Sequence, residues 1–105
     1  MQIQIYASDV THSNAIDEHV RGELERALKR FAEQVTRVEA HLHDDNGPKS
    51  GKDKRCVVED RLAGHQPLAV EGSAPDLYEA VRVAAGKVER AVGHKLERHE
   101  AHRGR

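Results

Sequence analysis

The spacing of the apolar residues changes along the chain in a way that fits only a mixed fold of strands and helices. Residues 2–8 alternate between apolar and polar side chains, with isoleucines on one side, as a half-buried strand does. From Ser13, a suitable N-cap, apolar residues recur at steps of three and four as far as Phe31, which predicts a helix over 13–32. Each pattern has one apolar side, so each element must bury that side against another.

Period-two alternation then returns three times. It predicts a second strand over 35–43, a third over 55–62 and a fourth over 66–72. Residues 44–54, between the second and third strands, are rich in Asp, Asn, Gly and Pro and contain no apolar residue. This composition predicts a hairpin loop that is longer than usual.

A second long helix is predicted after the fourth strand. Ser73 and Asp76 have the spacing of a capping box, with Asp in place of the usual Glu, and Pro75 suits the first helical turn. The apolar stripe that follows predicts a helix to about residue 98, and residues 99–105 are expected to form a frayed tail.

The predicted order is therefore β-α-β-β-β-α in a single α+β domain over residues 1–105. Two helical stripes and one apolar sheet face can form one core if both helices pack on the same face of a four-stranded sheet. Asp60 interrupts the apolar side of the third strand, so we expect it near the rim of the sheet. Cys56 lies on the inward side of that strand, which favours a buried, inert thiol over a reactive one.

Charge and composition exclude several classes of protein. Seventeen Lys and Arg against eighteen Asp and Glu give a net charge of −1, so any binding to a polyanion must be local. Only residues 76–105 have an excess of basic residues, with seven Lys and Arg against five Asp and Glu. A single cysteine excludes an internal disulfide, and no membrane span or secretory signal is visible, so a cytoplasmic protein is expected.

A row of basic residues is predicted on the second helix. Lys87, Arg90, His94 and Arg98 fall within about 80° on a helical wheel, opposite the apolar stripe, and span about 16 Å. On the first helix, Arg26 and Arg30 share one flank of the apolar stripe. This pattern indicates a binding surface for RNA or another polyanion; the alternative is an ordinary solvated face of mixed charges.

The long loop contains a second group of cations. These are Lys49, Lys52, Lys54 and Arg55. Near a basic helix edge they would contact a phosphate backbone, although a solvated hairpin tip would have the same composition.

Motifs of catalysis and metal binding are not evident. The sequence has no glycine-rich phosphate loop, no paired cysteines and no GxSxG element. His41 and His43 would share one face of a strand, and His99 and His102 one side of a helix; both pairs are interpreted as polar surface rather than metal ligands. No metal and no cofactor are predicted.

Several motifs together resemble a known family. They are the opening strand QIQI, the AIxxxV and LxRxLxRF-like spacing of the first helix, the NGP loop followed by Gly and DKR, and the DLYEAV start of the second helix. Over nearly the whole chain, these residues are similar to the short ribosome hibernation promoting factors and ribosome-associated translation inhibitors, also called the sigma-modulation family.

The resemblance implies a fold like that of double-stranded-RNA-binding domains and a non-catalytic function. It implies binding to the small ribosomal subunit and its rRNA, in the channel used by mRNA and tRNA, with hibernation or inhibition of translation in stress or stationary phase. Arg26, Lys87 and Arg90 fall on positions that the family uses for rRNA backbone, and His94 falls where lysine is common. DNA and membranes are not expected partners.

Two alternatives of other classes stay open. The exposed sheet face would suit a protein–protein adaptor, whereas a small hydrolase or metal enzyme would need a site that the sequence does not display. The resemblance is to the short forms, which lack the C-terminal domain that pairs ribosomes, so a monomer off the ribosome is expected. Whether the protein favours ribosome dimers or inactivates single ribosomes is not decided by these residues.

Overall fold

The computed structural model describes residues 1–7, 13–44 and 54–103, the last range with side chains up to residue 97. Within these ranges the elements follow the predicted order. They are β1 (Gln2–Ala7), α1 (Asn14–Leu28) with a following 3₁₀ turn (Lys29–Phe31), β2 (Val35–Asp44), β3 (Lys54–Leu62), β4 (Leu68–Ala74) and α2 (Leu77–Arg103).

The four strands form one mixed sheet in the order β1-β2-β3-β4. β1 is parallel to β2, whereas β2, β3 and β4 are antiparallel neighbours. Ile5, Ala40, Val58 and Val70 lie side by side across the four strands. This row shows that the strand registers bring the apolar sides together on one face.

Both helices cover that face, as predicted. Val20 and Leu24 of α1 and Val81 and Val88 of α2 are almost completely buried and belong to the same core as the strand residues. The α+β, two-layer prediction is therefore confirmed.

The start of each helix has a side-chain cap. The Ser13 hydroxyl accepts a hydrogen bond from the backbone N–H of Ile16, 3.2 Å away, as the sequence predicted for α1. For α2 the cap is the Asp76 carboxylate, which accepts from the N–H of Tyr78 at 3.1 Å. The predicted capping box with Ser73 is wrong, because Ser73 is still paired with Arg55 inside the sheet. Pro75 accordingly precedes the helix.

Three elements are longer than predicted. β2 and β3 extend to Asp44 and Lys54, which the sequence analysis had placed in the loop. α2 continues to Arg103 and includes most of the segment predicted to fray. Its last turns contain neither Pro nor Gly before Gly104, so nothing in the sequence ends the helix earlier.

Gly72 sets the distance between α2 and the sheet. A Cβ atom at this position would lie 2.5 Å from the Ala80 carbonyl oxygen and 2.5 Å from the Ala84 nitrogen. These contacts are with helix backbone, which cannot rotate away. Any side chain larger than hydrogen would therefore push α2 off β4.

Cationic side chains of both helices reach the two outer strands. Arg21 of α1 donates to the Ile3 carbonyl of β1 at 3.0 Å, and Lys87 of α2 donates to the Glu71 carbonyl of β4 at 2.8 Å. Each helix is thus hydrogen-bonded to one edge of the sheet as well as packed on its face.

Asp60 is buried, not at the rim, so that expectation was wrong. It pairs with Val38 and Leu68 in the ladder, is 0% exposed, and neither carboxylate oxygen has a hydrogen-bond partner among the described residues. Burial raises the pKa of Asp60 to about 6 from an ordinary value of 3.8. Cys56 is also fully buried, as predicted, and burial raises the pKa of its thiol to about 12.

The buried carboxyl group makes stability depend on pH. Because the folded state holds the Asp60 proton to higher pH than the unfolded state does, the free energy of unfolding should fall as pH rises from about 4 to about 6, by about 3 kcal/mol in total from this group. Asp60→Asn should therefore be more stable than the wild type at pH 7.5, and the difference should vanish near pH 4. Urea unfolding of both proteins across this range measures it; an equal difference at both pH values would contradict the assignment.

Two glycine substitutions should have opposite effects on stability. Gly72→Ala should lower the free energy of unfolding by about 3 kcal/mol, because the new methyl group overlaps helix backbone. Gly86→Ala in α2 should raise it by about 0.5–1 kcal/mol, because its Cβ would meet only the Arg90 side chain at 3.6 Å and alanine favours the helix. Thermal unfolding of the two variants compares them directly, and similar melting temperatures would rule out the close approach at Gly72.

Candidate nucleic-acid interface

Two hollows lie one after the other along α2, between this helix and α1 with its following 3₁₀ turn, and together we call them the groove. Its floor consists of small residues, Ala27 from α1 and Ala85, Gly86 and Gly93 from α2. Because these residues have a small side chain or none, they leave a channel between the helices. Longer, charged side chains form its walls. The groove is continuous with a third hollow beside Phe31 and Leu96.

The charge balance changes along the groove. At one end the walls hold Arg26 and Arg82 together with Glu23 and Glu89, so the charges offset one another. At the other end they hold Arg30, Arg90 and His94 with Glu97 as the one carboxylate among the described lining residues. We call Arg30, Arg90 and His94 the basic cluster.

Contacts within the protein separate the two ends further. Arg26 forms an ion pair of 2.8 Å with Glu23, and Arg82 one of 2.9 Å with Glu79. In contrast, the Arg30 guanidinium lies over the Phe31 ring, 4.5 Å from its centre, and no ion pair of Arg30 or Arg90 occurs within the described part of the chain. The basic cluster is therefore the part of the groove that can offer unneutralised charge to an anion.

Lys87 lies apart from the basic cluster. It is not among the residues that line the groove. Its amino group contacts the Glu71 carbonyl on the outer strand β4. The Glu71 carboxylate in turn lies 3.5 Å from Arg55 of β3. The predicted row on α2 is thus divided, with Arg90 and His94 at the groove and Lys87 at the sheet edge.

The predicted loop cations are only partly described. Lys54 forms an ion pair with Asp44 across the base of the hairpin, at 3.3 Å, and Arg55 contacts Glu71. Lys49 and Lys52 lie outside the described residues, as does the side chain of Arg98, whose backbone belongs to α2. The structure therefore tests neither these three side chains nor their reach toward the groove.

Sequence reasoning missed Arg82 and Phe31 as parts of the groove. Arg82 falls outside the wheel sector of the predicted row, but α1 approaches α2 on that side and makes Arg82 a wall of the channel. Phe31 was assigned to the core only, although its ring also supports Arg30. The role of Arg82 depends on how the helices cross, which a single helical wheel does not contain, whereas the contact of Phe31 with Arg30 is local to the 3₁₀ turn.

No helix in the described part of the chain is both long enough and apolar enough to cross a membrane.

Comparison with known proteins gives one family and several similar folds. Residues 3–100 match the family model described as Sigma 54 modulation protein / S30EA ribosomal protein. A ribosomal subunit interface protein from Coxiella burnetii superposes with a TM-score of 0.77 at 20% identity, over 92% of this chain and 99% of that chain. The N-terminal domain of Protein Y from Thermus thermophilus gives a TM-score of 0.72 at 25% identity, over 88% and 96%. A search of curated proteins found no significant match.

Proposed function

Because the chain belongs to the Sigma 54 modulation protein / S30EA ribosomal protein family, we propose that it is a non-catalytic, cytoplasmic factor that binds the small ribosomal subunit through rRNA. It occupies the channel for mRNA and tRNA there and silences translation, or promotes hibernation, in stress or stationary phase. The family match agrees with the resemblance found in the sequence. It supports ribosome association; the channel, the rRNA contacts and the conditions of action are our proposal.

The observation that carries the proposal is the basic cluster at the end of the interhelical groove. Arg30 comes from the 3₁₀ turn after α1, whereas Arg90 and His94 come from α2, so the site exists only in the folded domain. Two arginines that lack ion pairs within the described residues, with one carboxylate beside them, suit a phosphate group. A net charge of −1 does not prevent this, because charge screening in cytoplasm limits the effect of distant carboxylates.

The other predicted cations have lesser roles in this proposal. Lys87 and Arg55 contact Glu71 at the β4 edge and would meet phosphates beside the groove. Arg26 would first have to leave Glu23, which costs little for a side chain that is 69% exposed. Such contacts would position the protein on RNA without reading base sequence.

Charge reversal in the basic cluster should abolish ribosome binding. In Arg30→Glu/Arg90→Glu, two carboxylates replace the groups that face phosphate, so co-sedimentation with 30S subunits at low salt should fall by roughly tenfold or more. Wild-type binding should also weaken steeply as salt rises. Sucrose-gradient sedimentation with immunodetection measures both.

The matched control is Lys29→Glu/Arg61→Glu. It makes the same change in net charge at two exposed positions that do not line the groove. It should keep near-wild-type binding. Equal loss in both double variants would mean that overall charge decides, and binding insensitive to salt would favour the adaptor alternative through the sheet face.

Affinity should respond to the charge at position 94. His94→Lys places a permanent cation beside Arg30 and Arg90 in the basic cluster, so affinity for 30S subunits should rise several-fold. His94→Glu places a carboxylate there and should lower it.

The control here is His65→Lys, in the turn after β3 and outside the groove, which should bind as the wild type does. Filter binding at constant pH and ionic strength compares the four proteins. An equal rise in affinity for His65→Lys would mean that overall charge decides.

A further inference from the structure

The face of the sheet opposite α1 and α2, which no helix of the described residues covers, holds a second cluster of chemically active side chains. Glu39 and His41 project from β2 and Glu59 projects from β3, and one potential ligand atom from each lies within 4.8 Å of the others. We propose that Glu39, His41 and Glu59 bind a divalent transition-metal ion, with Zn²⁺ as the representative ion. This site is independent of the proposed function, since it lies on the opposite face from the groove.

The strand register creates the cluster. Glu39 lies directly opposite Glu59 in the β2–β3 ladder, and His41 is two residues along β2 on the same face. Like charges directly opposite each other in a sheet are unfavourable. A bound dication would remove this repulsion, because it would be shared by both carboxylates.

The two oxygens of Glu39 have different neighbours. Its Oε2 lies 2.8 Å from Arg37 Nε, whereas its Oε1 lies 3.4 Å from His41 Nε2. Ligand atoms about 3.4 Å apart fit a tetrahedral ion with bonds of about 2.0–2.1 Å. Arg37 thus holds the outer oxygen while the inner one stays available, as partners of metal-binding carboxylates commonly do.

His41 is positioned by its surroundings. Its ring stacks on Tyr6 of β1, with centres 4.9 Å apart and planes 15° from parallel. Its Nε2 is shielded from solvent and has no hydrogen-bond partner among the described residues. A metal ion would bind to the lone pair of this nitrogen. Because stacking on Tyr6 already restricts rotation of the His41 ring, metal binding would lose less side-chain entropy.

Glu59 completes the set from the solvent side. It is exposed and forms no ion pair within the described ranges, so its side chain is able to close the remaining distance to an ion. One imidazole nitrogen and two carboxylates favour Zn²⁺ and similar ions over Mg²⁺ and Ca²⁺, which prefer oxygen alone. Water would complete the coordination on the open side.

His43 distinguishes this site from the histidine pair considered in the sequence. It lies opposite Arg55 in the ladder, next to a positive charge, whereas Glu39 lies opposite a carboxylate. His43 is therefore a matched control, on the same strand and face but outside the cluster.

Titration of untagged protein with Zn²⁺ in a calorimeter, at pH 7.5, tests the proposal. We expect one ion per chain, at least tenfold weaker binding in His41→Ala and in Glu59→Gln, and a change of less than twofold in His43→Ala. With Co²⁺ as a second probe, the visible absorption band typical of Co²⁺ ions with a low coordination number should appear in the wild type and in His43→Ala but not in His41→Ala.

Circular dichroism establishes that each variant is folded, which is expected because all the substitutions are on the open face. Zn²⁺ should also raise the melting temperature of the wild type but not of His41→Ala, as binding to the folded state alone requires. No saturable binding, unchanged binding in His41→Ala, or equal loss in His43→Ala would overturn the proposal.

Discussion

The close packing of α2 against β4 determines where every other surface of this protein lies. With no side chain at Gly72, the backbone at Ala80 and Ala84 rests directly on the strand, and the valines of the helix fill the core beside it. Because this contact fixes the distance between α2 and the sheet, it also fixes where the outer side of α2 meets α1 and forms the groove. The position of the basic cluster is therefore a consequence of one close backbone contact several turns away.

In the proposed function, a nearly neutral molecule binds a polyanion through the groove. Its charges are sorted along the helices, with arginines already in ion pairs with Glu23 and Glu79 at one end and the basic cluster at the other. Local arrangement, not net charge, decides what a phosphate would meet. Family membership and this arrangement are independent observations that agree.

The order of elements was predictable because the apolar residues follow period two or helical spacing almost everywhere. The boundaries of the elements were less predictable. Ser73, for example, has a side chain that can cap a helix, but its cross-strand pairing with Arg55 keeps it in the sheet. Asp60 was misplaced because the cost of burying a carboxylate favoured the rim, whereas the alternation of β3 correctly pointed it inward. The candidate site was predictable only as basic residues on separate segments of the chain. The sequence did not show that Arg30 and Arg90 line the same hollow, that Arg82 lines the groove or that Lys87 does not. Those positions depend on how the two helices cross.

The hydrogen bonds from Arg21 to β1 and from Lys87 to β4 have a consequence for self-association. Outer strands offer unpaired carbonyls with which a strand of another molecule can align, and this is a common route to fibres and swapped dimers. In this domain each outer strand has a carbonyl engaged by a cation from the helix above it. A strand from another molecule would have to displace that cation and would then lie close to its positive charge. The two helices therefore also protect the edges of the sheet against pairing with another chain.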